Sequence, residues 1–417
     1  MRYLKANPGK IYFVIGTLLI GSTIFGLFKV YGYENTWKLW QVPTLMPPFA
    51  DLRLIPGGAE TFRRGLDPTI RNPGDPYGRI FNYPKIWYLF FYTSIDQEDV
   101  IWLGIVIFAL FYLGLISFPG NLDGLGVLLM LLIAFSPASM LLYERGNVDL
   151  LIFFICAMAV LVFDVSSLGA ATIILMGALL KIFPFFGLGI FLEKGKKQFW
   201  RYASLVTASL GIYIWLTLPN IQASWSSTMR GKSISYGVNV IFDRYREFFS
   251  TALKKYLPTF AASNLLAILP YLLGVIVLAA MVWIGLKSTP LSGSEDSRNL
   301  AAFRMGAFIF LGTFLLGNNW DYRLVFLLFT IPQLGSWLHT VKSRQRLWIF
   351  VALGLVILSC WHFLLAHWLT LMFVDLEIIT IIDEIANWGL FAVMAYLSVT
   401  SMPDWAKESL RNPLHKF

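Results

Sequence analysis

Leu168-Gly-Ala-Ala-Thr-Ile-Ile-Leu-Met-Gly-Ala-Leu-Leu-Lys181-Ile182-Phe183-Pro184-Phe-Phe-Gly-Leu-Gly-Ile-Phe-Leu192 carries one charge, and the number of times it crosses a membrane decides the fold. It is long enough for one crossing of about 20 residues. Pro184 argues against that, because proline lacks an N–H and clashes with the preceding helical turn. We read two half-spans that meet at Lys181-Ile182-Phe183-Pro184.

The flanking charges test this reading. Membrane proteins keep Lys and Arg in short cytoplasmic loops. With 168–192 split, those loops and tails hold Arg2, Lys5 and Lys10, then Lys194, Lys196, Lys197 and Arg201, then Lys287 and Arg298, then Lys342, Arg344 and Arg346, and finally Lys407, Arg411 and Lys416. The short outer loops hold only Arg145, Lys181 and Arg323. With 168–192 as one span, every later loop would flip and the basic clusters would lie outside.

The other spans fall at 11–30, 99–118, 124–142, 149–163, 199–218, 265–286, 300–316, 324–340, 347–365 and 385–400. The first, Ile11–Val30, is too long for a signal-peptide core and lacks a small-x-small site after it, so we read it as a retained span. The prediction is an all-α polytopic bundle of about twelve transmembrane helices (range 11–13, each about 20 residues). Both termini are cytoplasmic. Residues 1–417 form a single transmembrane domain with a first outer loop at 31–98 and a second at 219–263. A short helix is expected near Arg53–Arg64 and an interfacial segment at Ile86–Tyr92.

Composition agrees. The chain is 57% hydrophobic and 14% charged, against about 25% charged for soluble domains, and its mean hydropathy is +0.66. The net charge of +9 sits mostly in short loops, where it sets topology and meets membrane lipids. No basic stripe is interleaved with exposed aromatics, so nucleic acid is not an expected partner. Cys156 and Cys360 lie inside apolar runs and read as small core residues. No internal repeat marks an inverted-repeat transporter.

Polar constellations gather on the outer face: Asp51 with Arg53, Tyr83-Pro84-Lys85, Glu144-Arg145-Gly146-Asn147, Lys181, and Asn318-Asn319-Trp320-Asp321-Tyr322-Arg323. Charges at the ends of apolar spans are expensive unless paired, hydrated or functional. Each alone could snorkel to headgroups; five on one face suggest a shared polar cavity. Arg145, Lys181 and Arg323 suit a phosphate, Arg as a planar fork and Lys as a point charge. Asp51 suits a general base. Arg53, Tyr83, Lys85, Asn147, Asn319 and Asp321 are the further substrate-contact candidates. Asp67 and Asp75 precede prolines and read as turn residues. His362 and His367 are not at the i, i+4 spacing of a helical metal pair and read as packing or interfacial residues. No P-loop, dinucleotide fingerprint, Gly-x-Ser-x-Gly elbow or His-Glu-x-x-His is present.

In this order the motifs resemble the GT-C superfamily of membrane glycosyltransferases, and within it the bacterial polyprenol-phosphate-mannose-dependent α-mannosyltransferases. The likeness lies in Asp51 after the first span, Gly58-Ala59, Gly65-Leu66-Asp67-Pro68, Tyr83-Pro84, Gly146-Asn147 and Lys181-Ile182-Phe183-Pro184, and covers about residues 10–335. The chain departs from the pattern at Thr69, at the added Asp75-Pro76-Tyr77, at Lys85, at Ile182 and in lacking the Gln before Asn147.

The resemblance implies a GT-C-like bundle in a bacterial inner (plasma) membrane with an outward-facing site. It implies inverting transfer of a mannose-like hexose from a polyprenyl-phosphate-sugar donor to a lipid-linked or glycan acceptor, with Asp51 as the base and no nucleotide sugar. No cofactor is expected; the need for a divalent metal is left open. Two other functions fit the sequence. One is a transporter or flippase of a lipid-linked or anionic solute, which requires paired charges at depth. The other is a surface-polysaccharide polymerase or ligase, for which Arg230, Arg244 and Arg246 of the second loop are suited.

Overall fold

The computed structural model describes residues 7–228, 230–231, 234–291 and 296–412, and all of their side chains except those of Phe260 and Ser343. Arg2, Lys5 and Lys416, used above to set the topology, lie outside the described residues. The chain is nearly all α-helix. Its α-helices are α1 (Pro8–Lys38), α2 (Leu54–Arg63), α3 (Val100–Ser117), α4 (Gly124–Ala134), α5 (Pro137–Arg145), α6 (Asp149–Phe163), α7 (Ser167–Leu180), α8 (Lys196–Leu216), α9 (Leu218–Ser227), α10 (Val240–Arg244), α11 (Arg246–Lys254), α12 (Thr259–Lys287), α13 (Ser297–Leu315), α14 (Ile331–Thr340), α15 (Ser343–Leu371), α16 (Leu376–Thr400) and α17 (Asp404–Arg411). Longer 3₁₀ helices run over Lys85–Tyr92, Phe183–Lys194 and Asp321–Thr330.

Among the described residues five helices are long and apolar enough to cross a membrane, or seven if each of two bent pairs is one span. The five lie in α1, α3, α12, α15 and α16. One bent pair is α4 with α5, turned by 50°. The span read over 124–142 is bent there. Phe135 leaves the helical conformation, and Ser136 and Pro137 restart it, with Ser136 accepting from the Ser139 N–H as an N-cap. The other pair is α8 with α9, turned by 81°.

The stretch that opened the sequence reading folds as a hairpin. Lys181, just past α7, reaches Asp149 at one end of α6. Lys194, closing the 3₁₀ helix, lies over the Phe163 ring at the other end of α6, 4.4 Å from its centroid. The 3₁₀ helix therefore runs antiparallel to α7, with Lys181 at the apex. Its 12 residues, at about 2 Å rise each, extend about 24 Å.

Two ends of the bundle can be told apart by their contacts. At the end away from Lys181, Asn7 donates to the Gly120 carbonyl at 2.9 Å, Gly120 donates to Asn299, and Arg411 donates to the Leu286 carbonyl. The two described termini thus lie at the same end. Between the ends the core is aliphatic and aromatic. Its one fully buried arginine among the described residues, Arg304, is compensated by Glu193 at 2.5 Å and by the Ser401 carbonyl at 2.8 Å. An unpaired charge there would be costly.

Helix α1 turns sharply at Gly32, whose φ of +76° is a conformation that only glycine adopts without strain. The turn folds Tyr33 and Trp37 back onto Phe28. The rest of the first loop is a small packed unit. Gln97 donates to the carbonyls of Arg53 and Gly74, both at 2.9 Å, and Thr61 hydrogen-bonds Asn72. The Trp87 indole donates to the Leu180 carbonyl at 3.0 Å and fixes this unit beside Lys181. The second loop attaches through a two-residue antiparallel ladder, β1 (Ser235–Tyr236) on β2 (Asn319–Trp320).

Candidate active site

A continuous polar chain runs across the Lys181 end of the bundle. Asp75 holds Arg79 through its Nε at 3.1 Å and an Nη at 2.9 Å. Arg79 reaches Asp51 at 3.2 Å and the Ala50 carbonyl at 2.5 Å. Asp51 accepts from the Asn147 amide at 2.6 Å. The carbonyl of that amide accepts from Lys181 Nζ at 3.0 Å. Lys181 also pairs with Asp149 at 2.5 Å, and the second oxygen of Asp149 takes Arg323 Nε at 3.2 Å. Arg323 ends the chain on the Asn319 side-chain oxygen.

Each member is placed by a break in regular structure. Helix α5 ends at Gly146, with φ +55° in the left-handed region, where glycine is favoured. A Cβ there would also meet Phe49 within 3.0 Å. This turn sends Asn147 toward Asp51, while the Asp51 N–H donates to the Arg145 carbonyl at 2.9 Å. Asp149 begins α6, where a carboxylate suits the positive end of the helix dipole. Lys181 caps the broken α7. Asn319 and Arg323 flank Asp321, one on the ladder strand and one on the following 3₁₀ helix.

Three carboxylates, Asp51, Asp75 and Asp149, face three cations, Arg79, Lys181 and Arg323. The array is balanced, which permits it to sit among apolar spans. Exposure divides the roles. Asp75 and Asp149 side chains are 0% exposed, whereas Asp51, Arg79, Lys181 and Arg323 keep 12–24%. The buried pair fixes geometry; the other four can meet a ligand. For Arg79, burial opposes the charge, but the hydrogen bonds and charge of Asp75, then the charge of Asp51, outweigh it and raise the pKa.

Tyr83 belongs to the wall of this site. It is buried, stacks toward Trp87, and lies with its ring centroid 5.8 Å from Lys181 Nζ. Burial first, and then the Asp51 charge, push its phenol well above the ordinary range, so it stays neutral. Its ring and Trp87 shield the lysine.

Several residues singled out from the sequence stand elsewhere. The Arg145 guanidinium pairs with Glu144, whose carboxylate is held by the Leu45 N–H at 2.7 Å and by Tyr33. Only the Arg145 backbone touches Asp51. Arg53 is buried, with its donors on the Pro48 carbonyl at 2.8 Å and on Gln97 at 2.9 Å, so it pins the first loop. Lys85 is exposed at the start of its 3₁₀ helix, and among the described residues its side chain makes no hydrogen bond. Asp321 points away from Asp51. It is fully buried, 3.5 Å from His362, which lies 3.7 Å from Asp383; Glu384 is buried on the same turn of α16. The Asp67 carboxylate accepts from its own turn, at Thr69, as expected. Asp75 is more than a turn residue, because it orients Arg79.

Arg79 and Asp149 are functional candidates that sequence reasoning passed over. Asp149 had a visible signal, an acid two residues past Asn147 that opens an apolar run. Arg79 had little, since its role depends on a loop fold that brings it back over Asp51. Among the described residues no group of three or more His, Cys, Asp or Glu side chains could hold a metal ion.

Comparison with known proteins adds no identification: no family model, no curated protein and no solved structure matches the chain.

Proposed function

We propose that the chain is an integral membrane glycosyltransferase. It moves a mannose-like hexose from a polyprenyl-phosphate-sugar donor to a lipid-linked or glycan acceptor, on the outer face of a bacterial inner membrane. Asp51 is the general base, and Lys181 and Arg323 receive the donor phosphate. The single observation behind this reading is that Asp51 reaches Lys181 through one side chain, that of Asn147. A base and a phosphate-binding cation must flank one sugar, within hydrogen-bond reach of its two faces.

In the proposed step Asp51 takes the proton of the acceptor hydroxyl as its oxygen bonds the anomeric carbon. The bond from that carbon to the lipid phosphate breaks on the opposite face, which inverts the centre. The charge left on the phosphate falls to Lys181 and Arg323, which act where charge develops. Asp149 holds both cations in place until the phosphate competes for them. In this reading the chain crosses twelve times with both termini cytoplasmic, through α1, α3, α4–α5, α6, α7, 183–194, α8, α12, α13, 321–340, α15 and α16; the support is the five to seven helices among the described residues that are long and apolar enough to cross. The resemblance to the GT-C superfamily described above supports the same assignment.

The test is transfer by the purified protein from polyprenyl-phosphate sugars, wild type against Asp51→Asn. Loss in the variant supports the base; intact transfer removes it.

A second reading is favoured by one observation. The buried Asp321–His362–Asp383–Glu384 group lies among apolar spans, and acids and histidines at such positions mark proton or ion paths by default. Proton-coupled transport of an anionic lipid or solute would use it. Proteoliposomes under a pH gradient distinguish the readings: gradient-driven solute accumulation supports transport, and its absence alongside sugar transfer supports the transferase.

A further inference from the structure

Helix α1 packs on the bundle along one face, with Ile20, Ile24 and Phe28 against the core. Near the start, Leu131 of α4 packs where a Cβ on Gly16 would lie. At the far end Trp37 is buried. Between them a Cβ on Gly21 would meet nothing within 4 Å, and Phe25 is exposed. The gap is a groove of about 520 Å³, walled by Ile24 and Phe28 of α1, Phe108 and Tyr112 of α3, and Met140 of α5.

Two further lining residues give the groove a direction. Phe49 lies at its edge and packs where a Cβ on Gly146 or Gly104 would be. Asp51 follows two residues later. The groove thus ends at a residue two positions from Asp51, whereas Lys181 and Arg323 lie across Asn147 from that carboxylate. Lys29 also lines the groove and is exposed on α1. An exposed cation on a lipid-facing helix attracts an anionic headgroup.

We propose that this groove seats the apolar chain of the acceptor. The acceptor is then a lipid-linked molecule with an anionic head, and its hydroxyl is presented to Asp51. This rests on the transferase reading and narrows it, since a soluble glycan acceptor would leave the groove without a role. A chain already in the bilayer gains little from hydrophobic transfer. Recognition comes from van der Waals fit against the aromatic walls and from Lys29 at the rim. Bulk phospholipid and a second copy of the chain are the competing occupants.

The experiment uses the full chain in phospholipid nanodiscs with an isoprenyl-diphosphate-linked monosaccharide carrying a diazirine at the end of its tail. Cross-links are expected to concentrate in residues 21–37 and 104–112. Gly21→Trp, which fills the open space, and separately Lys29→Gln should each cut them about tenfold, the loss of one good contact. Asp51→Asn should label as wild type does. Label spread evenly over α12, α15 and the groove means bulk lipid only and overturns the proposal, as do cross-links joining the groove to a second chain. A groove that labels in a protein without sugar transfer retains the lipid site and rejects the transferase. Asp51-dependent transfer with no label in the groove rejects the groove alone.

Discussion

Asp51 and Lys181 hydrogen-bond opposite ends of a single amide, that of Asn147. A carboxylate only accepts and an ammonium only donates, so the orientation of that amide is fixed by its partners. The Asn147 side chain satisfies both at once, and it sets the spacing of the proposed base and phosphate contact.

Asn147→Ala removes both bonds. Hydrogen bonds to charged groups contribute about 1.5–3 kcal/mol each, and a net loss of about 3 kcal/mol lowers kcat/KM roughly 10²-fold. Asn147→Asp should be at least as damaging, because it sets a second carboxylate against Asp51. Steady-state transfer rates check both.

Arg79→Lys keeps the charge but loses the fork that joins Asp75, Asp51 and the Ala50 carbonyl. A point charge cannot replace a planar multi-donor contact. We expect kcat to fall about tenfold or more while the protein stays folded, since one ionic hydrogen bond is worth about 1.5 kcal/mol. An unchanged kcat would remove Arg79 from the site.

Asp149→Asn leaves Lys181 and Arg323 facing each other without their shared carboxylate. Breaking a buried ion pair by removing one partner costs about 3–5 kcal/mol. The variant should therefore unfold at a lower temperature in detergent than Asp51→Asn does, because the Asp51 side chain is partly exposed. Thermal unfolding of the two variants side by side gives the order.

Arg53→Met separates a loop pin from a substrate contact. The buried guanidinium serves the Pro48 carbonyl and Gln97, so the expected result is a lower unfolding temperature with the donor KM unchanged per folded molecule. A raised KM at unchanged stability would restore Arg53 as a substrate contact.

The helical character of the chain and its longest apolar helices were legible because hydropathy reports directly on them. The hairpin at Lys181 was legible from one lysine and one proline. The kink at Gly32 was not, since helix α1 runs on past the apolar run into a polar segment read as loop, and the break at Phe135–Pro137 was not, since it lies inside an apolar run. At the site, Asp51, Asn147, Lys181 and Arg323 were visible as isolated polar groups at span ends, and the fold brings them together. Arg145 looked equivalent but turns to its sequence neighbour Glu144. Asp321 sits between Asn319 and Arg323, yet it faces the other way, because it opens a 3₁₀ helix, whose three residues per turn set Asp321 and Arg323 on different faces. Arg79 depends on tertiary folding of the first loop, which no local pattern encodes.

The most direct measurement is hexose transfer from a polyprenyl-phosphate sugar by purified wild type and Asp51→Asn, at matched folded concentration. General-base catalysis contributes about 10²–10⁴-fold, so the variant should lose at least about 10²-fold in kcat with its donor binding retained. Transfer by Asp51→Asn at the wild-type rate would contradict the account.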